Sequence, residues 1–300
     1  MRVSLMLVVS LAAASRLPAE DFWKHWGDGR AELSGYRLTQ PRYGSARPGS
    51  SVLVFVTESF ADGPRVKSDS PAGPGTADVY PVVKLNHIRD FQTGIYDYAT
   101  MTSVFARVAS GFPVRKISFS SREWCGHVYH QLLPAKGTVP GVFHSYFEGE
   151  ADGRDDLPFP EGGVFEDALP ILLRGLTGEY LKAGESRKVA FLPSLFSSRM
   201  THTRVAWGQA TISRAAASAG VKVPAGSFDA IVYSVAQDGG PASTWAIESA
   251  WPHRLLKRTG GHGEEAVLLR STRQPYWKQN QAGEEKLLAE LGLRAPSRLP

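Results

Sequence analysis

The side chains best able to do chemistry recur at alternate positions in one short segment: Glu123, Cys125 and His127, continued by Tyr129 and Gln131. A cysteine flanked by an imidazole and a carboxylate is the minimal set for thiol catalysis, with Cys125 as nucleophile, His127 as its base and Glu123 orienting the base. That chemistry requires an exposed sulfur with a depressed pKa. Read as a strand, the segment places Ser121, Glu123, Cys125, His127, Tyr129 and Gln131 on one face. Trp124, Gly126, Val128, His130 and Leu132 fall on the other. Side chains two residues apart stand about 6.5–7 Å apart, so they align without touching, and neighbouring strands must fill the gaps.

A second stripe follows. His144, Tyr146, Glu148 and Glu150 share a face, and Phe143, Ser145 and Phe147 share the other. Paired as a hairpin, the two stripes face the same side and form a wet concave surface, to which Lys84 and Asn86 add from another strand. Three readings compete for it. It is a solvated or internally hydrogen-bonded sheet face. It is a ligand or partner surface built from Glu123, Cys125, His127, Tyr129, Gln131, His144, Tyr146 and Glu148. Or it is a thiol-dependent hydrolase or transferase site of Cys125, His127 and Glu123.

Other chemistries lack their motifs. There is no His-Glu-x-x-His, no Gly-x-Ser-x-Gly and no P-loop. Gly261-His-Gly-Glu-Glu-Ala266 matches a dinucleotide fingerprint in form, but two carboxylates would repel a pyrophosphate, and it reads as a hairpin turn. Cys125-x-His127-x-x-His130 has metal-ligand types, yet on a strand His130 points away from the other two. No metal and no cofactor is expected. Cys125 is the only cysteine, so no internal disulfide staples the fold. The net charge of +5 is spread along the chain, and no nucleic-acid module is present.

Any such site must be positioned by strands. The 300 residues are 42% hydrophobic and 21% charged, enough to pack a core. Met1-Arg2, the apolar run Val3–Ala14 and the small residues Ala12-Ala13-Ala14 or Leu17-Pro18-Ala19 read as a signal peptide over residues 1–19. The run is shorter than the ~20 residues a membrane span needs, and no later stretch qualifies. An exported chain, periplasmic or secreted, is expected. Ala31–Gln40, Ser51–Glu58, Val79–Ile88, Ile95–Val108, Val114–Leu133 and Val142–Glu150 read as strands. A polar break at Glu148–Gly163 places a boundary near residue 158, with an N-terminal β domain over 20–158 and a C-terminal one over 159–300. Val164–Leu176 reads as a helix kinked at Pro170. Met200–Ser213 alternates as a strand, Val223-Pro-Ala-Gly226 reads as a tight turn, and Glu284–Leu291 as a short helix. The expected fold is mainly β: two curved antiparallel sheets or half-barrels with one or two short helices.

Several segments resemble an uncharacterised bacterial exported family, many of whose members carry a lipid anchor and some of which are labelled septum-formation inhibitors. They are Trp26-Gly-Asp-Gly-Arg-Ala-Glu32, Arg42-Tyr-Gly44, Phe55-Val-Thr-Glu58, Val66-Lys67, Lys84-Leu-Asn86, Thr93-Gly-Ile-Tyr96 with Met101-Thr-Ser103, Glu123-Trp-Cys-Gly-His127 and Ser145-Tyr-Phe-Glu-Gly-Glu-Ala151. The chain departs from anchored members in having no lipobox cysteine. Val223-Pro-Ala-Gly-Ser-Phe-Asp229 with Trp251-Pro-His-Arg-Leu255 is similar to exported half-barrel domains of unknown function, which implies long curved antiparallel strands. The resemblance implies no activity and carries over no catalytic residue. The expected role is non-enzymatic binding of an apolar or amphipathic ligand, such as a lipid, or of an envelope protein. A thiol enzyme is the first alternative, and a structural or assembly protein the second.

Overall fold

The computed structural model describes residues 19–71 and 78–294, so residues 1–18 of the expected leader lie outside the described residues. Helix α1 (Ala19–Trp26) leads into a meander of β1 (Ala31–Arg42), β2 (Ser45–Ala61), β3 (Val66–Lys67), β4 (Val79–Thr93), β5 (Tyr96–Arg107), β6 (Val114–Glu123), β7 (Gly126–Leu132), β8 (Thr138–Ser145) and β9 (Gly153–Pro158). The second run is β10 (Val164–Phe165), a 3-10 turn (Glu166–Ala168), α2 (Leu169–Leu172), β11 (Ser186–Leu192), α3 (Leu195–Thr201), β12 (Gly208–Arg214), β13 (Ala219–Val223), β14 (Gly226–Gln237), β15 (Ala242–Glu248), β16 (Leu255–Thr259) and β17 (Glu265–Gln274). Short 3-10 helices over Tyr276–Lys278 and Glu284–Leu291 follow.

The fold is mainly β. The two sheets expected from the sequence are joined into one, because β1 pairs with β2 on one side and β17 on the other. Across the sheet the order is β10, β11, β12, β14, β15, β16, β17, β1, β2, β4, β5, β6, β7, β8, β9, with β13 beside the start of β14 and β3 beside the end of β2. All pairings are antiparallel except β10 with β11.

The chain thus steps from β9 at one edge to β10 at the other through the few residues between Pro158 and Val164. Such a link spans at most about 20 Å, whereas fifteen strands laid flat would be about 70 Å wide. The sheet therefore bends until its ends approach. Phe159 and Phe165 meet with ring centroids 5.4 Å apart, although no ladder joins β9 to β10 among the described residues.

The period-2 pattern sorts the faces. Val83, Leu85, Phe91, Tyr98, Val104, Ile117, Phe119 and Leu132 point inward into one core that also takes Phe191, Ile212, Tyr233 and Leu268 from the second run. In β2, the run Val52-Leu-Val-Phe-Val56 is apolar on both faces because both are covered. Leu53 and Phe55 join the main core, while Val54 and Val56 meet Leu291 on the outer side. Gly35 is required there, since a Cβ would lie 2.2 Å from the Leu291 carbonyl oxygen.

The segment from Glu166 to Val205 fills the inner side. Its expected helix at 164–176 begins instead as β10, and Pro170 sits in the first turn of α2, where its missing N–H costs nothing. The expected strand from Met200 is α3 and an irregular stretch up to Gly208, because Ser194 caps α3 through the Ser197 N–H at 3.0 Å. Ion pairs pin this segment to the sheet. Arg174 grips Glu32 with two 2.8 Å bonds and lies over the Phe55 ring at 4.5 Å. Arg258 binds Glu264 and reaches Glu166 at 3.3 Å.

Candidate functional site

The most consequential departure from the sequence expectation lies at Trp124-Cys125. No strand runs through it. β6 ends at Glu123, the chain turns in two residues, and β7 starts at Gly126, with Glu123 opposite Gly126 and Arg122 opposite His127. Two features fix the turn. The Cys125 N–H donates to a Glu123 carboxylate oxygen at 3.0 Å. Gly126 lies beneath Tyr146, whose ring atom would be 2.7 Å from any Cβ.

The turn exchanges the faces. Glu123 is inward and buried, His127 is outward and exposed, and Cys125 is exposed at the tip. The candidate triad is therefore not assembled: its acid and its base lie on opposite sides of the sheet. The Cys125 thiol is pushed up by its hydrogen bond to the Glu123 carboxylate and by that group's charge, the reverse of activation. The Cys125, His127 and His130 set does not converge either, since His130 faces inward and bonds Asp155 at 2.6 Å.

The second stripe is partly as expected. β7 and β8 form a hairpin with Tyr129 opposite His144 and Gln131 opposite Val142, so His127, Tyr129, Gln131 and His144 share one face. Asn86 lies in the same cross-strand row as Gln131, through Ser103 and Ser118. Lys84 is on that face too, held by Glu58 at 2.9 Å. β8 ends at Ser145, however, so Tyr146 and Glu148 stand in the following turn rather than on the strand. The shared face is the outer one, away from the core. It holds a shallow depression of about 640 Å³ lined by Ile88, Met101, Ser120, His127, Tyr129 and His144.

Glu123 belongs to a different constellation. Its carboxylate takes a 3.2 Å bond from Arg199, which is buried and lies 3.9 Å from the Phe147 ring centroid. Arg199 also reaches Nε2 of His202 at 3.0 Å, and Nδ1 of His202 meets Glu150 at 2.5 Å. A guanidinium only donates, so Nε2 accepts from Arg199 and Nδ1 faces Glu150 as a donor. Glu150 in turn accepts from Ser145 at 3.1 Å. Beside it, burial opposes ionisation of Asp155, but hydrogen bonds from His130 and Arg204 hold its carboxyl below the usual range. These contacts tie α3 and the irregular stretch after it onto β6–β9. Sequence reasoning missed His202 because it read Met200–Ser213 as a strand, and it gave Arg199, just before that strand, no role.

A second concavity, with an apolar floor, lies where the two ends of the sheet approach each other. It encloses about 650 Å³ between the β5–β6 connection, the Phe159–Phe165 link, α2 and β11. Phe159, Val164, Phe165, Ile171, Leu172 and Val189 supply apolar walls. Glu161, Glu179, Tyr180, Arg187 and Lys188 form the rim, and Arg187 stacks over Tyr180 at 5.3 Å. One wall is an open strand edge. The Glu185 carbonyl accepts from the Arg214 N–H, so by ladder alternation Ser186, Lys188 and Ala190 turn their backbone groups away from β12. β10 pairs with that edge at Phe191 and Leu192, which takes the backbone groups of Ala190 and Leu192 and leaves those of Ser186 and Lys188 facing outward.

Comparison of the chain with family models, with curated proteins and with solved structures finds no match.

Proposed function

We propose that this chain is an exported binding protein that holds an amphipathic molecule in the cleft between the two ends of its sheet and does not convert it. The observation that carries the reading is the cleft itself. Its volume falls within the ~300–1,000 Å³ range of small-molecule sites, with an apolar floor, a charged rim and unused backbone donors and acceptors on one wall. Such a floor takes an acyl chain or apolar ring, and the rim takes a polar head. The leader-like residues 1–19 support export. The thiol-enzyme reading is less well supported, because the carboxylate beside Cys125 disfavours the thiolate and His127 lies on the opposite face from Glu123.

The test is native mass spectrometry and thermal shift with single-chain amphiphiles of increasing chain length. Stoichiometric binding that strengthens with chain length is expected, and Leu172→Trp, which fills the cleft from a half-buried position, is expected to abolish it. Should Leu172→Trp fail to fold, Lys188→Glu at the rim, which also breaks the Lys188–Asp238 pair, is expected to weaken binding of anionic heads relative to cationic ones. Absence of binding at any chain length, or binding unchanged by both variants, removes the reading.

A further inference from the structure

The largest exposed hydrophobic side chains are not scattered. Ile95 is 82% exposed, Tyr146 76%, Trp124 66% and Tyr43 58%, and every other large apolar residue exposed among the described residues is below 50%. All four stand at one end of the sheet, in the connections between β1 and β2, β4 and β5, β6 and β7, and β8 and β9. The turns force them outward. Tyr43 and Gly44 both have positive φ, and Gly94 has positive φ immediately before Ile95, the signatures of tight two-residue hairpins whose tip side chains have no strand to pack on.

The four tips form a continuous rim. Consecutive tips are two strand spacings, about 10 Å, apart. The Tyr43 hydroxyl lies 2.9 Å from that of Tyr98, whose ring is 6.0 Å from Tyr96 beside Ile95. Tyr146 lies across Gly126 at the Trp124 turn.

We propose that this rim is a membrane-docking edge that seats its tip side chains in the interface of a neutral phospholipid bilayer. Two features favour a bilayer over a protein partner. Each tip offers a single large side chain at the end of its own connection, which suits a flat, yielding surface rather than a set of pockets. Two of the chemistries, indole and phenol, have an apolar body with a polar handle, the combination that concentrates at membrane–water interfaces. Charges of both signs stand beside the tips, Arg42 and Arg47 near Tyr43, Arg122 paired with Asp97 at 3.0 Å, and Glu148 and Asp152 near Tyr146, leaving no one-signed field to draw the rim to an anionic surface. The docking is therefore by insertion and insensitive to salt. It lies at the end of the sheet opposite the β5–β6 connection that lines the cleft, and it stands whether or not the cleft binds anything.

The test is co-sedimentation of the full chain with phosphatidylcholine vesicles, repeated at low and high salt. Binding that changes less than threefold with salt is expected, with at least a tenfold loss in Ile95→Ser/Trp124→Ser/Tyr146→Ser. Thermal unfolding of that variant, expected to match the parent, excludes a folding defect. Cys125 is the sole cysteine and exposed beside Trp124, so an environment-sensitive dye placed on it gives a second reading. Its emission is expected to shift to the blue on vesicle addition and to become shielded from aqueous iodide. No sedimentation, equal sedimentation of the variant, or binding only to vesicles with anionic lipid and lost at high salt each overturns the proposal. So does a protein partner or self-association abolished by the triple variant in the absence of vesicle binding. Vesicle binding retained in Leu172→Trp separates this result from the cleft.

Discussion

The two ends of the sheet handle the same kinds of side chain in opposite ways. At the end where β1 begins, aromatic and charged groups are closed over: Trp26, Phe55 and Phe165 are buried, and the Glu32–Arg174 pair is sealed among them. At the end where β1 meets β2, Tyr43, Ile95, Trp124 and Tyr146 stand in solvent. The difference is topological. At the first end the chain passes from one edge of the sheet to the other, and the link and α2 cover what lies between. At the second end the two-residue turns of β1–β2, β4–β5 and β6–β7 and the longer β8–β9 connection leave these four side chains uncovered. Composition alone would not separate these ends; connectivity does.

The comparison breaks most visibly if the buried pair is cut. Arg174→Met leaves the Glu32 carboxylate buried without its partner and is expected to lower unfolding stability by about 3–5 kcal/mol in urea titration. Adding Glu32→Leu is expected to recover a large part of that loss. Phe165→Ala, at the floor of the cleft, is expected to cost about 3–5 kcal/mol by the same measurement and to weaken amphiphile binding with it. Equal stability of either single variant and the parent would mean that the covered end is not packed as described.

The pH dependence sharpens the contrast. Burial pushes the Asp167 carboxyl up to about 7, against an ordinary 3.8, and the charge of Glu166 adds to it. The folded state then holds a proton that the unfolded chain has lost between those values. Stability from this group is complete below about pH 4 and is lost as pH rises through 7, a fall of at most about 4 kcal/mol. Asp167→Asn is expected to flatten the stability profile between pH 4 and 7. An unchanged slope would show that Asp167 ionises as freely as a surface carboxylate.

The smallest effects belong to the open end. Trp124→Ser and Cys125→Ser are each expected to leave stability within about 0.5 kcal/mol of the parent. Cys125 is expected to alkylate without denaturant, because it is exposed, yet more slowly at neutral pH than an unperturbed thiol, because the Glu123 carboxylate disfavours the thiolate. A fast reaction with a depressed apparent pKa would instead revive the thiol-enzyme alternative.

The strand content and most hairpins were legible from the residues. Val223-Pro-Ala-Gly226 turns as its residue types require, and Gly260–Gly263 closes the β16–β17 hairpin rather than binding a phosphate. The Trp124-Cys125 turn was not, because neither residue is a turn former and the polar alternation runs straight through it. The contacts at the turn are partly tertiary: the Glu123 carboxylate that accepts from the Cys125 N–H also accepts from Arg199, 76 residues later, which lies on the inner side. One local signal was available, since Val114–Leu133 is longer than the ~3–10 residues of an ordinary strand. The cleft was equally hidden. Its walls come from Phe112, Phe165 and Val189, and no periodicity reports that the ends of a sheet will meet. The α3 segment misled because Thr203, Val205 and Trp207 alternate with smaller or charged residues although Ser194 starts a helix just before them.

The pairing of β1 with β17 also sets an order in time. Ala31 lies against Gln274, so the central ladder of the sheet cannot close until nearly the whole chain is available. Until then one edge of β1 offers unpaired backbone groups, the condition that invites strand exchange with other chains. Contacts this distant in sequence also make for slow folding. A chain made from its N terminus therefore passes through an interval in which β1–β9 can zip together while the middle of the eventual sheet is still an edge, and holding that edge apart from its neighbours is what a cell producing this protein must accomplish.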